Sequence, residues 1–396
     1  MTSSRSQVCI NASSVVGPRT GIGQATSALL GGMVRNWPEG WPPGRAWVNS
    51  RRYPLPENDT WLKSGAFELI HTRWSGRGLL RSWQHLKWPC VERFSGLVDL
   101  FHAPESYIPP PSASAKIVTV HDVYFKYAPT DVEPYGGGYF NKTFSRLGEA
   151  EKIIAISGFT RKELLKFYPL DPNRIAVIPQ GVDHDRFSSE EQESDVRELE
   201  FLGIEQPYLL CVATREPRKN MSILLEGYAR SDRVLRAARQ RIPTLVIAGS
   251  SGWGRNEINK ILEEGQIREK VILTGYLPDS VIPALYRHAM LYIMPSLYEG
   301  FGMPVLEAMS CGCPALLADI DAFREVAGDA AVYFNPRDSA LLARQLVTLV
   351  GDHQLRAELR EGGFTRAEAY TWDATARSTL DVYREVMENG LADLKR

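Results

Sequence analysis

Two glutamates separated by seven residues, Glu299 and Glu307, bracket a glycine-bearing loop in the stretch Met294 to Pro314, MPSLYEGFGMPVLEAMSCGCP. A carboxylate repels phosphate, yet it accepts hydrogen bonds from two neighbouring sugar hydroxyls. Between the pair, Gly300 and Gly302 let backbone N–H groups approach a ligand closely. The helical run opened by Pro304 adds an N-terminus suited to an anion. Sugar recognition beside phosphate recognition is the chemistry of a sugar nucleotide. On the residues alone a plainer reading stands beside it: Glu307 complements a helix dipole, worth about 0.3–1 kcal/mol, and Glu299 is a loop-surface residue.

Three further stretches carry chemistry. TREPRKN, Thr214 to Asn220, follows a strand-like run and places Arg215, Arg218 and Lys219 around Pro217, where a forked guanidinium and a point-charge ammonium can pair with a diphosphate; a basic surface turn explains the same residues. KIVTV, Lys116 to Val120, ends in His121-Asp122, the position at a strand's C-terminal end that faces a ligand crevice. His121 can orient a hydroxyl or donate to developing charge, and Asp122 can fix its tautomer. Gly17 to Gly23, GPRTGIG, is a glycine loop leading into a helix, with Gly21, Gly23 and Arg19 in it; alone it is explained by the glycines a tight turn needs, and most such loops bind nothing. Asp183-His184-Asp185 and Asp319-Ile320-Asp321 have the form of metal-diphosphate triplets, but the motif is short and frequent by chance. Cys311 and Cys313 lack a second ligand cluster and read as small buried residues at a helix end.

EGFGMPVLEAMSCGCP closely resembles the signature of the retaining glycosyltransferases of family 4, which have the two-domain GT-B fold. The resemblance implies that Glu299 contacts the transferred sugar, that Glu307 contacts the nucleotide ribose, and that the amides of Gly300, Phe301 and Gly302 contact the donor. It also implies that Lys219 binds the donor phosphates, that His121 contacts the transferred sugar, that Gly21 and Gly23 lie in the cleft, and that Gly275-Tyr276-Leu277 neighbours the base. Many members carry an arginine directly after the strand, where this chain has Ala213, so Arg215 or Arg218 takes that role. QGVDHDRF matches a family turn whose usual Asn is here Gln180. The implied chemistry is a same-face, ion-pair-like substitution with retention, in which the leaving phosphate helps deprotonate the acceptor. No cofactor and no metal are expected, the nucleotide sugar being a co-substrate.

The elements that must position these groups form a repeated strand-helix alternation, the pattern of parallel sheets covered on both faces. At 396 residues, 44% of them hydrophobic, the chain exceeds one typical domain and suffices for two cores. The division that the GT-B resemblance implies is an acceptor-side Rossmann-like domain over 1–185, a nucleotide-sugar-binding Rossmann-like domain over 186–372, and a helix over 373–396 that crosses back to the first. The facing domains would enclose a cleft. Residues 180–206, charged and aperiodic, read as a linker, and Phe144 to Glu151 as helical.

Net charge is −1, divided as +7 over residues 1–180 and −8 over 181–396. The basic half suits anionic lipid or a phosphorylated acceptor. Within it, residues 71–94 interleave Trp74, Trp83 and Trp88 with Arg73, Arg77, Arg81, Lys87 and Arg93. That pattern fits either a membrane-surface helix or an amphipathic helix with inward tryptophans. No apolar run reaches the ~20 residues needed to span a bilayer, and the start lacks a signal-peptide core, so a cytoplasmic protein, peripheral on the inner membrane face, is expected.

The leading expectation is hexosyl transfer, with mannose from GDP-mannose, to a saccharide or polyprenyl-linked oligosaccharide in surface polysaccharide assembly. A rhamnosyl or glucosyl transferase using dTDP or UDP sugars is the alternative within the fold. A non-catalytic sugar-nucleotide-binding or scaffold protein is the alternative of another class. A dinucleotide oxidoreductase is disfavoured because neither loop completes G-x-G-x-x-G. No nucleic-acid partner is expected.

Overall fold

The computed structural model describes residues 7–17, 20–55, 59–105, 107–110, 112, 114–127, 138–250 and 255–393. Arg19 lies outside them. The chain forms two compact units, Met1–Gly181 with Thr371–Arg396, and Val182–Tyr370.

The first unit is built on seven strands: β1 (Val8–Asn11), β2 (Gly44–Asn49), β3 (Phe67–Thr72), β4 (Leu100–Ala103), β5 (Ala115–Val120), β6 (Lys152–Ala155) and β7 (Ile175–Val177). All pair in parallel, in the order β3-β2-β1-β4-β5-β6-β7. Every residue of β1 and β4 is buried, as expected of central strands covered on both faces. The strand order reverses between β1 and β4, so the loops after their C-terminal ends diverge and leave a crevice.

The helix Trp372–Asp393 completes this unit by packing on the helix Gly21–Asn36. Contact is close enough that a Cβ on Gly32 would stand 2.5 Å from the Trp372 carbonyl oxygen. Arg35 pairs with Asp373 at 2.8 Å. Inside, His102 is hydrogen-bonded through Nδ1 to the Tyr383 hydroxyl at 2.6 Å and through Nε2 to Thr119 Oγ1 at 2.8 Å. Burial pushes the pKa of His102 down to about 3, so the ring is neutral.

The second unit has six parallel strands: β8 (Tyr208–Val212), β9 (Thr244–Ala248), β10 (Val271–Gly275), β11 (Leu291–Met294), β12 (Ala315–Ala318) and β13 (Val332–Phe334). Their order is β10-β9-β8-β11-β12-β13. Here the reversal falls between β8 and β11, the strands that precede TREPRKN and the glutamate loop.

Three stretches depart from the sequence expectation. The presumed linker contains a helix, Asp195–Phe201, because Asp195 is buried and accepts hydrogen bonds from Arg287 Nε (2.7 Å), Arg287 Nη2 (2.6 Å) and His288 Nε2 (3.1 Å). Phe144 ends a helix, Gly138–Phe144, rather than opening one. Arg146 then donates to the carbonyls of Ile108 and Pro109 and to Glu149, which leaves only the short turn Leu147–Glu149. Residues 71–94 are not one helix but the end of β3, the helices Gly76–His85 and Glu92–Ser95, and the turn between them. Trp83 is buried and donates to the Pro89 carbonyl, whereas Trp74 and Trp88 are 40% and 53% exposed.

Candidate donor-binding site

The site in the second unit is assembled from the two loops at its strand-order reversal. After β8 the chain makes a single turn, Pro217–Lys219, and Asn220 takes a left-handed conformation (φ 56°) before the helix Met221–Ala237. Asparagine tolerates that conformation, and its amide donates to the carbonyls of Pro295 (3.0 Å) and Pro336 (2.7 Å). Leu297 N–H also donates to the Arg218 carbonyl at 2.8 Å. The cationic turn is thereby fastened to the loop after β11.

Across that junction Glu299 receives three donors. Lys219 Nζ lies 2.5 Å and Ser296 Oγ 2.7 Å from Oε1, and Arg218 Nη1 lies 2.8 Å from Oε2. Lys219 and Glu299 are 7% and 8% exposed. Burial by itself raises the Glu299 pKa, but the Lys219 and Arg218 charges outweigh it and hold the carboxyl below the usual range. Arg218 also pairs with Glu216 at 3.0 Å. Arg218 is therefore the arginine joined to Glu299, while the backbone of Arg215 donates to the Ser250 carbonyl at 3.3 Å.

Gly302 opens the helix Met303–Ser310 with φ 122°, which disfavours any side chain. Gly300 is buried beside it, and the Phe301 ring is buried against Tyr370 with centroids 5.8 Å apart. In the first turns of that helix Glu307 accepts from the Tyr286 hydroxyl at 3.1 Å. Burial pushes the Glu307 carboxyl up to about 7 despite the nearby Arg186 guanidinium. Tyr276 follows Gly275 (φ 75°) at the end of β10 and is 69% exposed.

A family model described as Glycosyl transferases group 1 matches residues 196–366, and one described as Glycosyltransferase Family 4 matches residues 98–186. Over 289 residues the chain is 28% identical to the O-antigen chain mannosyltransferase B of Escherichia coli, covering 72% of this chain and 74% of that protein. Two solved structures share its architecture at 16% identity. Sucrose-phosphate synthase from Thermosynechococcus elongatus superposes with a TM-score of 0.75, covering 97% of this chain and 100% of that one. The Anabaena protein Alr3699/HepE, crystallised in complex with UDP-glucose, gives 0.69, covering 96% and 99%. The chain is a family-4-type GT-B glycosyltransferase.

In the first unit of this glycosyltransferase His121 follows β5. Its Nε2–H donates to the Pro104 carbonyl at 2.8 Å, which leaves Nδ1 to accept from the Gln180 amide at 3.3 Å. Burial lowers its pKa, so the ring is neutral. The tautomer is thus set by Pro104 and Gln180 and not by Asp122, whose carboxylate instead accepts from Tyr124 N–H at 2.9 Å to close its own turn. Gln180, seen in the sequence only as a departure from Asn, thus joins the Pro104 carbonyl in holding His121. Gly23 is explained by packing, since a Cβ there would stand 2.3 Å from the Ser14 carbonyl oxygen; at Gly21 a Cβ would meet nothing within 4 Å.

Both aspartate triplets are engaged locally. Asp183 accepts from Arg186 N–H at 3.2 Å, and Asp319 is paired with Arg324 through two bonds of 2.7 and 3.0 Å. Cys311 and Cys313 are buried, and burial pushes the Cys311 thiol up to about 12. Among the described residues no helix is long and apolar enough to cross a membrane.

Proposed function

We propose that this glycosyltransferase transfers a hexose with retention, using mannose from GDP-mannose, to a saccharide or lipid-linked saccharide of a cell-surface polysaccharide. The observation that carries the reading is the buried Lys219–Glu299–Arg218 cluster where the strand order of the second unit reverses. A nucleoside diphosphate leaves readily if its charge is met, and Lys219 with Arg218 can turn from Glu299 to the phosphates. The carboxylate so released accepts from sugar hydroxyls and orients the ring. The departing phosphate takes the acceptor proton as the glycosidic bond forms on the same face, so no divalent cation is required.

The mannose assignment rests on the likeness to the Escherichia coli mannosyltransferase. A UDP-hexose is the competing donor, favoured by the UDP-glucose in the Anabaena protein of similar fold. Thermal shift with GDP, UDP, dTDP, ADP and their hexose conjugates, with and without EDTA, separates the two. Stabilisation by GDP-mannose that survives EDTA is the expected result. A shift with UDP-glucose alone would move the donor, and loss of every shift in EDTA would refute metal independence.

His121 enters the same reading as a neutral ring whose long bond to Gln180 can be exchanged for a ligand hydroxyl. Replacing His121 by Ala is expected to lower kcat by about 10²-fold while nucleotide affinity holds. Unchanged turnover would remove it from the chemistry.

The first unit also offers a lipid surface. Exposed Trp74, Leu86 and Trp88 stand among exposed Arg73, Arg81 and Lys87, a combination suited to an anionic membrane interface. Flotation with phosphatidylglycerol vesicles should capture the protein at low salt, and Trp88→Ser with Lys87→Glu should release it. Equal capture by neutral phosphatidylcholine vesicles, or no effect of the double change, would dismiss the surface.

A further inference from the structure

Tyr286 lies in the helix Ile282–His288, fully buried, with its ring edge-on to Tyr292 (5.5 Å between centroids) and Phe187 (6.1 Å). Two other buried tyrosines of this unit direct their hydroxyls to backbone carbonyls, Tyr208 to Leu285 at 2.7 Å and Tyr228 to Pro243 at 2.9 Å, and Tyr292 directs its own to Met294 Sδ at 3.3 Å. A backbone carbonyl is the routine partner of a buried phenol. Tyr286 differs: among the described residues its hydroxyl bonds only to Glu307 Oε2, at 3.1 Å. The Tyr286 hydroxyl is thus set against an ionisable group of the helix Met303–Ser310.

The surroundings of Glu307 make that bond consequential. The groups facing it are the Arg186 guanidinium, the Tyr286 hydroxyl, the Asp279 carboxylate, the Tyr292 phenol and the Cys311 thiol. Arg186 lies over the Phe187 ring at 4.6 Å and donates to the Asp279 carbonyl at 2.5 Å, so it spans from the aromatic stack to the loop after β10. With Oε2 held by Tyr286, Oε1 makes no hydrogen bond to a described residue. A carboxylate with one oxygen fixed and the other open can accept from a vicinal diol in a single orientation.

We propose that Tyr286 is a positioning residue for nucleoside recognition: its hydroxyl holds Glu307 Oε2 and leaves Oε1 to accept from the 2′- and 3′-hydroxyls of a ribose. The proposal rests on the reading of Glu307 as the ribose-binding carboxylate. Loss of the phenol hydroxyl removes a donor that favours the ionised carboxyl, so two effects appear together. Nucleotide affinity falls, and the pH below which affinity is lost moves upward.

The test is calorimetric binding of GDP-mannose and UDP-glucose, whose doubly esterified diphosphates do not titrate in this range, across pH values bracketing 7, to which burial raises Glu307. In the native protein affinity should fall as pH drops through that value, because protonation removes the negative charge that strengthens the bonds from both hydroxyls. Glu307→Gln should abolish the step. Tyr286→Phe keeps the ring and should weaken binding about tenfold at neutral pH while raising the midpoint. 3-Fluorotyrosine incorporated at position 286, a stronger donor of nearly the same shape, should lower the midpoint, and it serves if the phenylalanine variant does not fold. A purely structural tyrosine would change the melting temperature and leave the midpoint where it was, which would overturn the proposal. Persistence of the step in Glu307→Gln, or no binding of either nucleotide, would instead bring down the reading of Glu307 and the proposal with it.

Discussion

Replacing Lys219 by alanine is expected to reduce kcat/KM for the sugar-nucleotide donor by about 10²–10³-fold, the usual loss when a preorganised charge facing a leaving group is removed. The ammonium is buried and within 2.5 Å of Glu299, so its removal has two consequences. The diphosphate loses a cation, and among the described residues Glu299 keeps Arg218 and Ser296 as partners, so its carboxyl rises from its depressed position. Lys219→Arg restores charge without the compact ammonium and should recover part of the activity. Donor kinetics on the three proteins decide the matter, and near-native kcat/KM in the alanine variant would exclude Lys219 from the site.

The second large effect is on stability. Asp195→Ala should destabilise the Val182–Tyr370 unit by about 3–5 kcal/mol, because Arg287, whose side chain is 6% exposed, would be left buried without a counter-charge and His288, 8% exposed, without its acceptor. For a unit of this size the melting temperature should fall by roughly 10 °C. The native pair also makes stability depend on pH. Burial tends to raise the Asp195 pKa, but the bonds and charge of Arg287, with Gln192 N–H and His288, hold it below the usual range. Its contribution is therefore complete above the ordinary carboxylate pKa and is lost as pH falls through the depressed folded value. Calorimetric melts should show the acid-side loss in the native protein and not in Asp195→Ala. A variant that melts within 1–2 °C of the native protein, against the ~10 °C expected, would mean the buried pair is not what secures this helix.

The Asp195 helix also marks where the sequence ran out as a guide. Its run, DVRELEF, is short and charged, and the partner that makes it structural, Arg287, stands 92 positions away. Periodicity reports what a segment does with its own neighbours and is blind to such a clamp. The opposite case is β11 with the helix behind it, where a fully buried apolar strand, two glycines and a proline in the first helical turn each act locally. The site divides in the same way. Lys219 and Glu299 are recognisable by type and by resemblance, but their 80-residue separation hides that they meet. Asp122, adjacent to His121 in sequence, was the natural candidate to orient it; Gln180, 59 positions on, does so. Residues 71–94 show the limit of composition: three similar tryptophans divide into one buried and two exposed because β3 ends at Thr72 and the helix starts anew at Gly76.

The passage of the chain out of the first unit at Gly181 and back at Thr371 sets an order of events during synthesis. Domains made on the ribosome ordinarily fold as they emerge, the earlier one first. Here the whole Val182–Tyr370 unit has been translated before the helix Trp372–Asp393 is made, and that helix supplies Tyr383 to buried His102 and covers Gly32. Until then the strands made first carry an open core. Of the two units, the one whose first strands are translated earlier is thus the one completed later.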